Sequence, residues 1–143
     1  MKTITALSLL LISGCQSSSL TSELDSQLIK AREAEGKSIA SAIGRSQMIY
    51  HVENKEFTNS LEQLSIKTSL ISSAEHYSFN IQDVTSNRAI ITAKSKSDDI
   101  QISDFVNLVT YDDEYSNKLC KLKQSVSDYS SFEELDNEEC YDF

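Results

Sequence analysis

From Ser22 to about Asn54 the chain runs without proline, and Ile39, Ala42, Ile43, Ser46, Ile49 and Tyr50 recur at three- and four-residue spacing. That period places them on one largely apolar stripe and predicts a single long helix, about 45–50 Å at 1.5 Å per residue. Ser22 is a plausible N-cap. Glu23 and Asp25 fall in the first turn, where carboxylates suit the positive end of the helix dipole, and Ser22 with Asp25 resembles a capping box. The earlier half, Glu23 to Lys37, is mostly charged, with only Leu24, Leu28 and Ile29 large and apolar. The later half is therefore expected on the core, and the earlier half is expected to project from it. Gly36 and Gly44 weaken the helix by about 1 kcal/mol each against alanine, and Gly36 could mark a bend.

Asn59-Ser60-Leu61-Glu62 carries a second capping signature, which predicts a short helix that brings Leu61 and Leu64 under the core beside Phe57. After residue 75 the period changes to two. Tyr77, Phe79 and Ile81 alternate with Ser78, Asn80 and Gln82, as in a half-buried strand. Thr85 to Arg88 reads as a turn, Ala89 to Lys94 as a second strand, Phe105 to Tyr111 as a third, and Lys118 to Lys123 as a short fourth. Strands this close pair through hairpins, so the sheet is antiparallel. The fold class expected is α+β: a long N-terminal helix packed on a four-stranded antiparallel meander.

The start of the chain changes the picture. Lys2 leads into an apolar run from Ile4 to Ile12 that ends in Ile12-Ser13-Gly14-Cys15. The run is far shorter than the roughly 20 residues of a spanning helix and reads as a secretory signal removed at export. Small residues at 13 and 14 with cysteine next look like a bacterial lipoprotein signal, with Cys15 as the attachment point for diacylglycerol and a further acyl chain such as palmitate. The division expected is a signal peptide over 1–14, a lipidated tether over 15–22, and one domain over 23–143 that includes an acidic C-terminal tail over 112–143. The remaining cysteines, Cys120 and Cys140, are free to pair in an oxidising compartment. Two free thiols or a redox pair are the alternatives, although no C-x-x-C spacing supports the latter.

Net charge is −9, and loss of Lys2 takes it to −10. Nucleic-acid binding needs clustered Lys and Arg against phosphates, and no basic patch exists here. His51 and His76 lack neighbours that imply a nucleophile or a metal cage, and each reads as a satisfied surface histidine. No Gly-x-Ser-x-Gly elbow occurs. The chain is read as a non-enzyme without a cofactor. Acidic residues crowd the region after Tyr111, yet no fixed-spacing calcium loop with a turn glycine appears. Within that region Val126, Tyr129, Phe132 and Leu135 recur every three residues and suggest a short amphipathic helix folded back onto the sheet.

The stretch from Ala31 to Tyr50, followed by Glu53-Asn54-Lys55-Glu56-Phe57 and Ser60-Leu61-Glu62-Gln63-Leu64, resembles the globular half of type IV pilin-like proteins of the G/H group, related to minor pseudopilins of type II secretion. Arg45, Gln47, Tyr50, Glu53, Asn54, Phe57, Leu61 and Leu64 carry the match. The resemblance implies a helix on a four-stranded meander, and Cys120 and Cys140 fall where that group often has a late disulfide, closing the tail. It assigns no catalytic residue. Pilins begin with a prepilin cleavage site and an oily helix of about 25 residues; here a lipid on Cys15 is expected to replace both. Buried acyl chains contribute about 0.8 kcal/mol per CH₂, and two or three give lasting anchorage.

The function expected is a membrane-anchored pilin-like lipoprotein that docks pilin or secretion-system proteins of the cell envelope. Its location is outside the cytoplasm, with the outer membrane favoured because Gln16 rather than aspartate follows Cys15. The alternative is a stand-alone envelope lipoprotein that binds a small ligand or Ca²⁺ through its acidic C-terminal region.

Overall fold

The computed structural model describes residues 18–96, 102–122 and 139–142. A helix, α1, runs from Ser18–Asn54. A 3-10 turn at Leu61–Gln63 and a short helix α2, Thr68–Ser72, follow it. Five strands complete the chain: β1 Tyr77–Gln82, β2 Arg88–Ser95, β3 Phe105–Asp112, β4 Glu114–Lys121 and β5 Glu139–Asp142. They form one antiparallel sheet in the order β1-β2-β3-β4-β5. The expected meander of four strands is present, and the tail adds a fifth.

Several local expectations are corrected. The helix already contains Ser18, so Ser22 lies inside it rather than capping it, and the described first turn holds no acidic residue. Ser60 precedes the 3-10 turn but makes no side-chain cap bond. Thr58 serves there instead: its hydroxyl donates to Gln63 Oε1 and accepts from the Ser60 N–H at 3.1 Å. Asp112, Asp113 and Glu114 belong not to a tail but to the β3–β4 hairpin, where Asp113 takes the left-handed conformation at φ 63°. The proposed amphipathic turn over Val126 to Leu135 lies outside the described residues.

α1 ends where Lys55 turns left-handed at φ 63° and its N–H bonds to the His51 carbonyl at 2.8 Å. Across the sheet, α1 packs on β2, β3 and β4. The buried line on the helix is Ile39, Ala40, Ile43, Gly44, Gln47 and His51, whereas Ile49 is exposed. Ile39 and Ile43 meet Ala89, Ile91 and Val109 in one core cluster, which Phe57 and Leu64 close from the connecting loop. Ala40 meets Tyr77, Ala93, Phe105 and Leu119 in a second. Burial of each large apolar side chain contributes about 1.5–3 kcal/mol.

The helix is continuous through both glycines, which serve close approach to the sheet. A Cβ at Gly36 would stand 2.8 Å from the Tyr77 ring. That ring has nowhere to retreat, because Tyr77 is fully buried and its hydroxyl donates to the Ser103 carbonyl at 2.8 Å. A Cβ at Gly44 would fall on the Asn107 amide and lie 2.9 Å from Asn117 Oδ1. Asn107 is also fixed, since its Nδ2 donates to the Ala40 carbonyl at 2.9 Å.

Two effects of opposite sign therefore meet in Gly44→Ala and Gly36→Ala. Alanine gains about 1 kcal/mol in helix propensity, and overpacking a rigid core costs about 1–3 kcal/mol. Both variants are expected to be less stable than the parent, shown by a lower urea midpoint at unchanged slope; Ser38→Ala, on the exposed side, should not fall.

Candidate functional site

The described structure joins three kinds of anchor around the sheet, and together they define what can face a partner. The first is at the edge. Cys120 and Cys140 are register partners on β4 and β5 and are joined by a disulfide. Of the two readings left open by spacing, the structural pairing is the one present. Next to it, Lys121 donates to Glu33 of α1 at 3.0 Å, and the Ser103 N–H donates to the same carboxylate at 3.1 Å. The β4 edge is thus tied to the helix by charge and to the tail by sulfur.

Glu33 is nearly fully buried. Burial alone would raise its pKa, but the hydrogen bonds from Lys121 and Ser103 outweigh that and hold its carboxyl below the ordinary range. The Tyr77 hydroxyl is pushed far up, first by burial and then by the carboxylates of Glu33, Asp104 and Glu35. It therefore stays protonated as the donor to Ser103. Glu35 holds the connecting loop: its two oxygens accept the N–H groups of Glu75 and His76, each at 3.0 Å.

The second anchor was not foreseen. Gln47, fully buried, bonds both backbone groups of Thr58: its Nε2 donates to the carbonyl at 2.6 Å and its Oε1 accepts the N–H at 3.1 Å. A side-chain amide reproduces a backbone pair in this way and seats the loop after α1. The available signal was its position four residues after Ile43, a polar residue on the core line of the helix.

The third anchor corrects the reading of His51 as a surface residue. Its ring is buried and stacks on Phe57 at 4.4 Å, with Tyr111 and Tyr115 at 4.9 and 5.6 Å. The Ser86 carbonyl, 3.1 Å from Nε2, can only accept, so Nε2 carries a proton and donates there. In the neutral ring Nδ1 then accepts from the Tyr115 hydroxyl at 2.7 Å. Both nitrogens are engaged, and the ring's work is to bind the end of α1 to two hairpins. His76 stays part-exposed, 4.0 Å from Glu75.

What remains outward is the near half of α1 and scattered surface. Leu24 and Leu28 are 63% and 43% exposed and lie four residues apart on one helix face. Among the described residues no three His, Cys, Asp or Glu side chains converge as a metal site. No described helix is long and apolar enough to cross a membrane. Cys15 lies outside the described residues.

Two measurements probe these anchors. Closing a loop with a sequence separation of 20 constrains the unfolded chain by about 3 kcal/mol, so a Cys120→Ser/Cys140→Ser double variant should lose stability of that order in urea. For Glu33, the folded pKa lies below the unfolded one. Its stabilisation is therefore present above the ordinary glutamate range and is lost as pH falls through the folded pKa. The stability gap between the parent and Glu33→Gln should accordingly shrink on acidification from neutrality; a gap constant with pH would contradict the assignment.

Comparison with known proteins agrees with this scaffold. No curated protein and no solved structure gives a significant match. A family profile, type IV pilin-like G and H, matches residues 33–138, a span that begins at the buried glutamate of α1 and takes in the whole meander. That is well over half of the sequence, and the chain belongs to the type IV pilin-like G and H family.

Proposed function

We propose that this protein is a non-enzymatic lipoprotein of the bacterial envelope, moored through Cys15, whose pilin-like domain docks subunits of a type IV pilus or a type II secretion-like system. The observation that carries the reading is a conjunction. A pilin-like domain matched over residues 33–138 stands directly behind Ile12-Ser13-Gly14-Cys15. Family membership supports a pilus- or pseudopilin-related role and an envelope location; the small-small-cysteine box supports the lipid. Residues 1–14 would be removed, 15–22 would serve as the lipidated lead-in, and Gln16 favours the outer membrane.

The geometry is suited to that role. α1 already contains Ser18, three residues after Cys15, so a lipid there would put the start of the helix at the bilayer surface. At 37 residues the helix is about 55 Å long and carries the sheet well away from its first turn. Its near half offers Leu24 and Leu28 to a neighbouring helix, and the rest of its apolar line is used up against the sheet. Two or three acyl chains would hold the subunit without an oily spanning helix, so it would act beside a fibre and not inside its core.

The test uses the full-length chain expressed in its own envelope. Mass spectrometry of the mature protein should find Cys15 as the acylated N-terminus, and Cys15→Ser should leave the membrane fraction or remain unprocessed. Detergent pull-down of the parent should recover pilin-like or secretion subunits, and Leu24→Asp/Leu28→Asp should weaken that recovery. A mature chain without acyl mass overturns the anchor, and recovery of no such subunit overturns the docking role.

A further inference from the structure

The sheet has two buried faces, and α1 covers only one of them. Ala89, Ile91, Phe105, Val109 and Leu119 turn toward the helix side. Their alternates point the other way, and there Ile90, Val106, Cys120 and Leu122 form a separate apolar cluster, with Leu108 and Cys140 against it. This outer cluster is nearly shut off from water: Ile90 is 1% exposed, Val106 and Cys120 0%, Leu122 4%. Yet all its members come from strands or, for Leu122, from the residue directly after one. Side chains standing in one layer on a sheet screen each other sideways but not from above. A further layer has to lie over them, and no described helix or loop contributes a side chain to it.

We infer that the chain's own segment 123–138 docks on this outer face. Its two ends place it there. It leaves after Leu122, itself a member of the cluster, and returns at Glu139, which is the register partner of Lys121 on the adjacent strand. Start and finish are thus about 5 Å apart at one end of the sheet. The segment alternates apolar Val126, Tyr129, Phe132 and Leu135 with acidic Asp128, Glu133, Glu134, Asp136 and Glu138. That pattern provides one side to bury and one to leave in water. The disulfide sits within the cluster and joins the strands at both ends of the segment, which lowers the entropy lost on docking. A second copy is a poorer occupant, because a stable dimer buries about 800 Å² per partner and this cluster is a handful of side chains. A tethered segment competes at an effective concentration in roughly the millimolar range.

The sequence contains no tryptophan, so Phe132→Trp in the full chain gives a single reporter, and Glu133→Trp gives one on the side meant for water. The Phe132→Trp indole should emit at shorter wavelength than in urea and resist acrylamide several-fold better than the Glu133→Trp indole, at every protein concentration. Tyr129→Trp supplies the same readout if Phe132→Trp does not fold. Quenching as free as in urea would overturn the inference. So would protection that vanishes on dilution, because the cover would then be a second copy.

Discussion

The approach of α1 to the sheet at Gly36 and Gly44 sets the terms for everything else in this domain. At these two points the helix backbone comes close enough that even a methyl group would strike Tyr77 or Asn107. Only at that distance can Asn107 reach the Ala40 carbonyl and Tyr77 reach Ser103 from beneath the helix. The contact also carries a cost. The Oδ1 atoms of Asn107 and Asn117 are buried with no hydrogen-bond partner among the described residues, and an unmade buried bond costs about 1–3 kcal/mol. The apolar clusters on either side of the seam offset that cost, and the polar groups fix where along the sheet the helix sits.

From this seam the remaining anchors follow in order. Gln47 and His51 extend the buried line of α1 past the apolar stretch and bind what comes next: Gln47 the loop at Thr58, His51 the hairpins at Ser86 and Tyr115. At the other end, Glu33 and Glu35 hold Lys121, Ser103 and the approach to β1. Carboxylates on one helix thus organise the near end of the sheet, and an amide and an imidazole organise the far end. A domain built this way presents a rigid head on a long helix, as a subunit that recognises neighbours requires. Its inward polar groups are committed to structure and leave no convergent set for catalysis among the described residues.

The pattern of apolar positions sufficed for the larger features. A proline-free stretch with period 3.6, then alternation at Tyr77, Phe79 and Ile81, then β-branched runs close in sequence, leaves an antiparallel meander under one helix as the natural solution. Phe57, Leu61 and Leu64 were legible as core for the same reason: apolar side chains next to a polar break have to bury. Less legible was everything that depends on which polar residue is enclosed. Ile49 belongs by spacing to the apolar stripe yet is exposed, while Gln47 and His51 are buried in its place. A helical wheel cannot separate these, since a stripe drawn a few tens of degrees off fits the same spacing.

Sequence by itself determined the helix, the meander, the family kinship and the availability of two cysteines for a bond. These depend on local period, on chain connectivity and on residue type, all of which are present before folding. Only the tertiary structure decided that Gly36 and Gly44 are contact points, that His51 is an interior ring, that Asp112 to Glu114 make a hairpin, and that the chain's end returns as a fifth strand. Each depends on groups distant along the chain meeting at a few ångströms, and one-dimensional spacing carries no record of which groups will meet.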